Sequence, residues 1–277
     1  MKKIENRAKL LLLFVRNGFI MDSNYDWGYI GLGEVLAVLS GKGGTGKTSV
    51  CAGIATALAE SGESVLCIDC DVGLRNLDIS LGISDSGALS FLDVAQGGYE
   101  LSCAAVHPQY ATLSFLTAPM NCPVEKISPE AFGEMLHKAR QMFDYIFLDA
   151  AAGVDAGFRL VAEFADRHVL VTGPGPAAVR DASRVGELLE LMGKKEVRMI
   201  VNRVDKSMLS YLRVTIDDVM DTTGLPLLGV VLEDGNVVLA AACGMSLLRY
   251  HKRSPAVQAF KRIAKRIQGM PVPITYR

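Results

Sequence analysis

The chain has almost no charge imbalance: 29 Lys and Arg stand against 30 Asp and Glu, for a formal net charge of -1. That balance gives no overall pull toward nucleic acid, and a nucleic-acid partner is not expected. No run of about 18 apolar residues occurs, so no transmembrane helix is expected. Internal repeats and low-complexity linkers are also missing, and nothing marks a second domain. The six cysteines fall at 51, 67, 70, 103, 122 and 243. Cys67 and Cys70 form a C-x-x-C, but no second pair follows at zinc spacing. Both lie in an apparent strand, where their thiols point to opposite faces. Buried, reduced thiols of a cytoplasmic protein are expected there, not a metal site.

What is present is a large apolar fraction, 50% of 277 residues, enough for one large α/β domain or two small ones. Short apolar runs read as strands at Val35–Leu39, Ser64–Asp69, Leu113–Thr117, Tyr145–Leu148, His168–Val171, Val197–Asn202 and Leu227–Leu232. Continuous apolar runs suit strands covered on both faces. Helical patterns lie at Lys47–Ser61, Pro129–Phe143, Gly157–Phe164, Pro176–Met192, Val214–Thr222 and Pro255–Gln268. Alternation of this kind predicts a doubly wound, mainly parallel α/β sheet with helices on both faces. The expected domain spans 34–270, with a tail at 271–277. Residues 1–33 form a separate extension, where Lys2, Lys3 and Arg7 precede Leu10–Val15. Three readings are open for it: a membrane-touching amphipathic start, an extra packed helix, or a start upstream of a natural Met21. The last two are favoured together.

The chemistry concentrates in Ser40-Gly41-Lys42-Gly43-Gly44-Thr45-Gly46-Lys47-Thr48, which fits G-x-x-x-x-G-K-[ST] between a strand and a helix. Gly41, Gly43, Gly44 and Gly46 let the backbone turn sharply and aim N–H groups inward. The helix beginning near Lys47 adds free N–H groups and its positive dipole end. Lys47 can reach β- and γ-phosphates, and the Thr48 hydroxyl can bind Mg²⁺.

Carboxylates follow at strand ends, where α/β proteins bind ligands. Asp69 and Asp71 alternate to one side and can hold a Mg²⁺ shell or orient a water, or simply close a strand in a polar turn. Asp149 ends an apolar strand in the Walker B manner, holding Mg²⁺ through water. Asn202 offers both an acceptor and a donor pair, which suits an adenine edge. A strand-end Asn capping a turn is an equal reading.

With Lys42, the loop resembles the K-G-G-x-G-K-[ST] signature of the deviant Walker A ATPases, the group of MinD, ParA and the nitrogenase iron protein. Asp69-Cys70-Asp71-Val72-Gly73-Leu74-Arg75-Asn76-Leu77-Asp78 is similar to switch I of the MinD branch. The resemblance runs from 35 to about 268, through Asp149-Ala150-Ala151-Ala152-Gly153, Val179–Ala182, Asn202-Arg203 and Glu233-Asp234. It implies the P-loop ATPase fold, ATP and Mg²⁺ as ligands, and a slow, partner-stimulated ATPase. Lys42, Lys47 and Asp71 are implied as catalytic. Lys42 reaches the partner's nucleotide across a homodimer, and Asp71 positions the attacking water. Thr48, Asp69 and Asp149 are implied on the metal side. Residues 41–48 with Ser49, then Gly153, Asn202, Arg203, Glu233 and Asp234, are implied around the nucleotide. The implied role is division-site placement with MinC-like and MinE-like partners, in the cytoplasm or peripherally at the inner face of the cell membrane. A flagellar-number or partition ATPase and a non-hydrolysing scaffold are the alternatives. Residues 150–160 contain no Cys, against electron transfer.

Departures from the pattern are equally specific. Ala150 and Ala151 replace the switch II hydroxyl and proline, Gly175, Ala177 and Ala178 replace Pro-Glu and two serines, and Leu232 replaces a proline. Phe260, Ile263, Ala264 and Ile267 form an apolar stripe expected to pack on the sheet. Pro271 and Pro273 exclude a helix over the last nine residues, so membrane binding is expected to be weak or absent.

Overall fold

The computed structural model describes residues 32–72, 74–84, 87–120, 122 and 124–275. The readings made for residues 1–31 lie outside the described residues. Gly33 is already tied into the domain: its N–H donates to the Arg140 carbonyl at 2.7 Å, and Arg140 Nη1 donates to its carbonyl at 3.0 Å.

Among the described residues eight strands make one sheet, in the order β3-β4-β2-β5-β1-β6-β7-β8. They are β1 (Glu34–Leu39), β2 (Val65–Cys70), β3 (Ala105–Val106), β4 (Leu113–Leu116), β5 (Tyr145–Ala150), β6 (Arg167–Thr172), β7 (Val197–Val204) and β8 (Leu227–Leu232). Every pairing is parallel except β3 with β4. β1 lies at the centre, between β5 and β6. The chain moves from β1 toward β2 on one side and returns to β6 on the other. The crevice of a doubly wound sheet opens at such a reversal.

The expected helices form with ends shifted by a residue or two: α1 (Lys47–Glu60), α4 (Pro129–Met142), α5 (Ala156–Phe164), α6 (Pro176–Leu191), α8 (Ile216–Thr223) and α11 (Pro255–Ile267). Ser128, Asp155 and Thr215 accept N–H bonds at the starts of α4, α5 and α8, the satisfaction that a helix start needs. The short elements β3, α2 (Leu77–Leu81), α3 (Phe91–Ala95), α7 (Lys206–Leu212), α9 (Asn236–Ala242) and α10 (Leu247–Tyr250) were not anticipated. They run two to seven residues, too short to repeat a period.

Alternate residues of the central strands feed two cores. Leu36, Val38 and Cys67 face the layer of α1 and α11, while Val35, Ala37, Leu39 and Cys70 face the layer of α4, α5 and α6. The C-x-x-C pair therefore divides between the two faces, and Cys51, Cys67 and Cys70 are buried free thiols. The Phe260 stripe of α11 is buried as expected. Gly53 lets α11 come close to α1: a Cβ there would lie 2.2 Å from the Phe260 ring.

One irregularity lies at the far edge. β7 and β8 slip in register, with Leu227 opposite Met199 and Gly229 opposite Ile200, so Leu228 is extra. Its carbonyl accepts from Arg266 Nη1 at 2.8 Å, and Arg266 also donates to the Val272 and Pro273 carbonyls.

Candidate active site

The glycine loop leaves the end of β1 and enters α1 through Gly46, whose φ of 81° is left-handed. A Cβ at Gly46 would also lie 2.3 Å from Asn202 Nδ2, so backbone conformation and space both demand glycine. Three carbonyls of the loop accept side-chain donors, two of them from the end of β7. Ser40 Oγ donates to Lys42 O at 3.2 Å, Arg203 Nη1 to Gly44 O at 3.1 Å, and Asn202 Nδ2 to Thr45 O at 2.8 Å.

Below the loop, β2 and β5 are neighbours in a register that sets Asp69 directly beside Asp149. Both are buried at 1% exposure. Lys47 Nζ donates to Asp149 Oδ1 at 2.5 Å and lies 3.5 Å from Thr48 Oγ1. Asp69 accepts the Asp71 N–H at 2.9 Å and the Leu77 N–H at 3.1 Å, which folds the switch I stretch over the strand end.

The electrostatics follow from this crowding. Burial, then the charge of Asp149, pushes the Asp69 carboxyl up to about 7 despite its two N–H bonds. Burial pulls the Lys47 ammonium down, but the charge and hydrogen bond of Asp149 outweigh it and hold Lys47 above its ordinary value. Burial raises Asp71, Lys47 opposes, and the charges of Asp149 and Asp155 leave it above the usual carboxylate range. Asp155 was not singled out from sequence. Its position just after Gly153 at a helix start is the signal that could have found it.

Asp149 Oδ2 and the Thr45 hydroxyl are buried without a hydrogen-bond partner among the described residues. Buried polar atoms are ordinarily satisfied, so these two mark where a ligand completes the site. The donors nearby are a hydroxyl and carboxylates, the oxygen set of a hard cation. Among the described residues no group of three or more His, Cys, Asp or Glu forms a metal cage by itself. A Mg²⁺ ion that keeps waters and shares substrate phosphates needs no such cage.

Next to the loop opens a cavity of about 160 Å³. Asn202, Arg203, Leu232, Glu233 and Asp234 line it, together with Val231, Val237, Val238 and Phe260, which the sequence reading did not place there. Arg203 pairs with Glu233 at 2.9 Å and 3.3 Å. Asp234 turns back into the structure and accepts from Asn236 and from the Ala256 N–H. A phosphate loop with Lys, Thr and Asp below it and a half-apolar cavity beside it has the form of a nucleotide site.

Comparison with known proteins agrees. Residues 36–247 match the CbiA model, the CobQ/CobB/MinD/ParA nucleotide binding domain. The septum site-determining protein MinD of Synechocystis is 34% identical over 244 residues, covering 87% of this chain and 92% of that relative. The chain belongs to the MinD family. Solved MinD structures superpose well. MinD in the MinC:MinD cell division complex of Aquifex aeolicus gives a TM-score of 0.80 at 32% identity, over 87% of this chain and 98% of that one. MinD of Pyrococcus horikoshii, complexed with Mg-ADP, gives 0.75 at 28% identity, over 85% and 96%.

The remaining MinD-family positions sit as follows. Lys42 is exposed on the loop. Gly153 has φ 105°, and its N–H donates to the Ser40 carbonyl at 3.0 Å. That N–H, on a residue implied around the nucleotide, is here joined to the start of the loop.

Proposed function

We propose that this chain binds ATP with Mg²⁺ at the glycine loop, closes as a homodimer around the nucleotides, and hydrolyses ATP slowly as a spatial regulator of cell division. The observation that carries this reading is the meeting of Lys47, Asp149, Asp69 and Asp71 beneath the loop. Thr48, Asp69 and Asp149 would hold the metal, which when bound neutralises charge on the β- and γ-phosphates. Lys47 exchanges Asp149 for phosphate oxygens. Asp71 orients the attacking water, and the exposed Lys42 serves the nucleotide of the second copy. The base occupies the cavity beside Asn202, with Arg203, Glu233 and Asp234 at its rim.

The structural likeness to MinD in complex with MinC supports a MinC-type partner for this chain. A MinE-type protein as activator belongs to the same reading. Among the described residues no helix is long and apolar enough to cross a membrane. A cytoplasmic ATPase visiting the inner membrane face peripherally fits the proposed role.

The bond from Gly153 to Ser40 and the alanines at 150 and 151 favour one second reading, a non-hydrolysing ATP scaffold. ATP turnover of the wild type against Lys47→Ala and Asp71→Ala separates the two. Turnover lost in both variants supports the ATPase. Equal turnover in all three proteins leaves binding alone.

A further inference from the structure

The end of β7 does something to the loop that base recognition does not require. Asn202 and Arg203 are consecutive, and consecutive strand residues ordinarily point to opposite faces. Here the β7–β8 ladder is irregular between Val201 and Val204, and Arg203 adopts a left-handed φ of 58°. A long side chain in that region is a strained arrangement that its surroundings must hold. The turn lets both side chains reach the same loop. Asn202, 6% exposed, gives its Nδ2 donor to Thr45 O, and Arg203 gives Nη1 to Gly44 O. Glu233 fixes the guanidinium from its other side.

A trans peptide is planar, with its C=O and N–H antiparallel. The Gly44 carbonyl shares a plane with the Thr45 N–H, and the Thr45 carbonyl with the Gly46 N–H. Holding both carbonyls toward β7 turns both N–H groups to the other side of the loop. Successive N–H groups aimed one way form an anion nest. We propose that Asn202 and Arg203 are positioning residues of the phosphate cradle, orienting the Thr45 and Gly46 N–H groups by their grip on the two carbonyls. This rests on the ATP-site reading. It assigns the Asn202 amide donor to the loop, and with it the ability to bind phosphate before any base is read.

The test uses the full chain freed of nucleotide, with three Mg²⁺-loaded ligands followed by titration calorimetry: ATP, GTP and tripolyphosphate, which has no base. Wild type binds ATP and tripolyphosphate. Asn202→Ala weakens both by about tenfold, roughly the 1.4 kcal/mol of that factor, and leaves the ATP-to-GTP ratio unchanged. Arg203→Ala, at an exposed site that tolerates truncation, weakens both by about threefold, and Arg203→Lys recovers part of the loss. In nitrogen-15 spectra, pyrophosphate moves the Thr45 and Gly46 amides in wild type but not in the variants, while Thr48 and Ser49 at the helix start still respond. Unchanged tripolyphosphate binding with weakened ATP binding would make these residues base contacts and overturn the proposal. A lowered melting temperature with all four amides lost would make them fold supports and overturn it too. Failure of wild type to bind either ATP or tripolyphosphate would sink the ATP-site reading along with it.

Discussion

Removing the loop lysine should cost stability as well as activity. Lys47 is 6% exposed, its Nζ is 2.5 Å from Asp149 Oδ1, and the other oxygen of Asp149 has no hydrogen-bond partner among the described residues. Truncation to Ala leaves a carboxylate at 1% exposure with no cation and no donor, directly beside Asp69. Breaking a buried pair from one side costs about 3–5 kcal/mol, because the abandoned charge stays desolvated. A domain of this size loses about 2–4 °C of melting temperature per kcal/mol, so nucleotide-free Lys47→Ala should melt roughly 6–20 °C below wild type at pH 7.5. Removing the stranded charge should reverse the loss, so Asp149→Asn added to Lys47→Ala recovers most of it. Chemical denaturation of the four proteins of this cycle gives the coupling directly. If Lys47→Ala unfolds within about 0.5 kcal/mol of wild type at pH 7.5, surface substitutions being of that size, the buried-pair reasoning is wrong.

Three further outcomes are expected. Asp69 is carried from its ordinary 3.8 to about 7, so its contribution is complete below pH 4 and lost as pH rises through 7; nucleotide-free protein should lose up to about 4 kcal/mol across that window, and Asp69→Asn should flatten the slope in urea titrations at pH 5 and pH 8. Phe260 is 2% exposed, packs on Gly53 and lines the cavity proposed for the base; Phe260→Ala should cost about 3–5 kcal/mol in urea denaturation and weaken ATP more than tripolyphosphate. Arg213 has φ 53° just after α7; Arg213→Gly relieves the left-handed strain and should raise stability by up to about 1 kcal/mol, a gain that a lower melting temperature would contradict.

The phosphate half of the site was legible because its chemistry is local. Glycines, Lys47 and Thr48 sit together in sequence, and Asp69 and Asp149 each end an apolar strand. The doubly wound sheet was legible for a similar reason, since strands covered on both faces read as unbroken apolar runs. The base side was less so. Val231, Val237, Val238 and Phe260 carry no chemistry of their own until three separate segments, β8, α9 and α11, bring them together. The grip of Asn202 and Arg203 on Thr45 and Gly44 spans 157 and 159 residues. It joins side chains to carbonyls, and every residue has a carbonyl, so no residue type at the receiving end announces it. Asp155 was hidden because helix starts use aspartate routinely.

The extra residue at Leu228 bears on how these molecules avoid each other. β8 ends the sheet, and the last strand of a sheet is a template on which another chain can pair. A bulge twists such a strand away from a flat register, and here Arg266 holds the extra carbonyl. The same guanidinium binds the Val272 and Pro273 carbonyls, bringing up a segment whose prolines cannot donate to a ladder. One cation thereby joins the last strand of the sheet to a proline-bearing segment. Arg266→Ala protein should therefore keep its nucleotide site yet gain a tendency to self-associate through strands, visible as concentration-dependent light scattering and thioflavin binding.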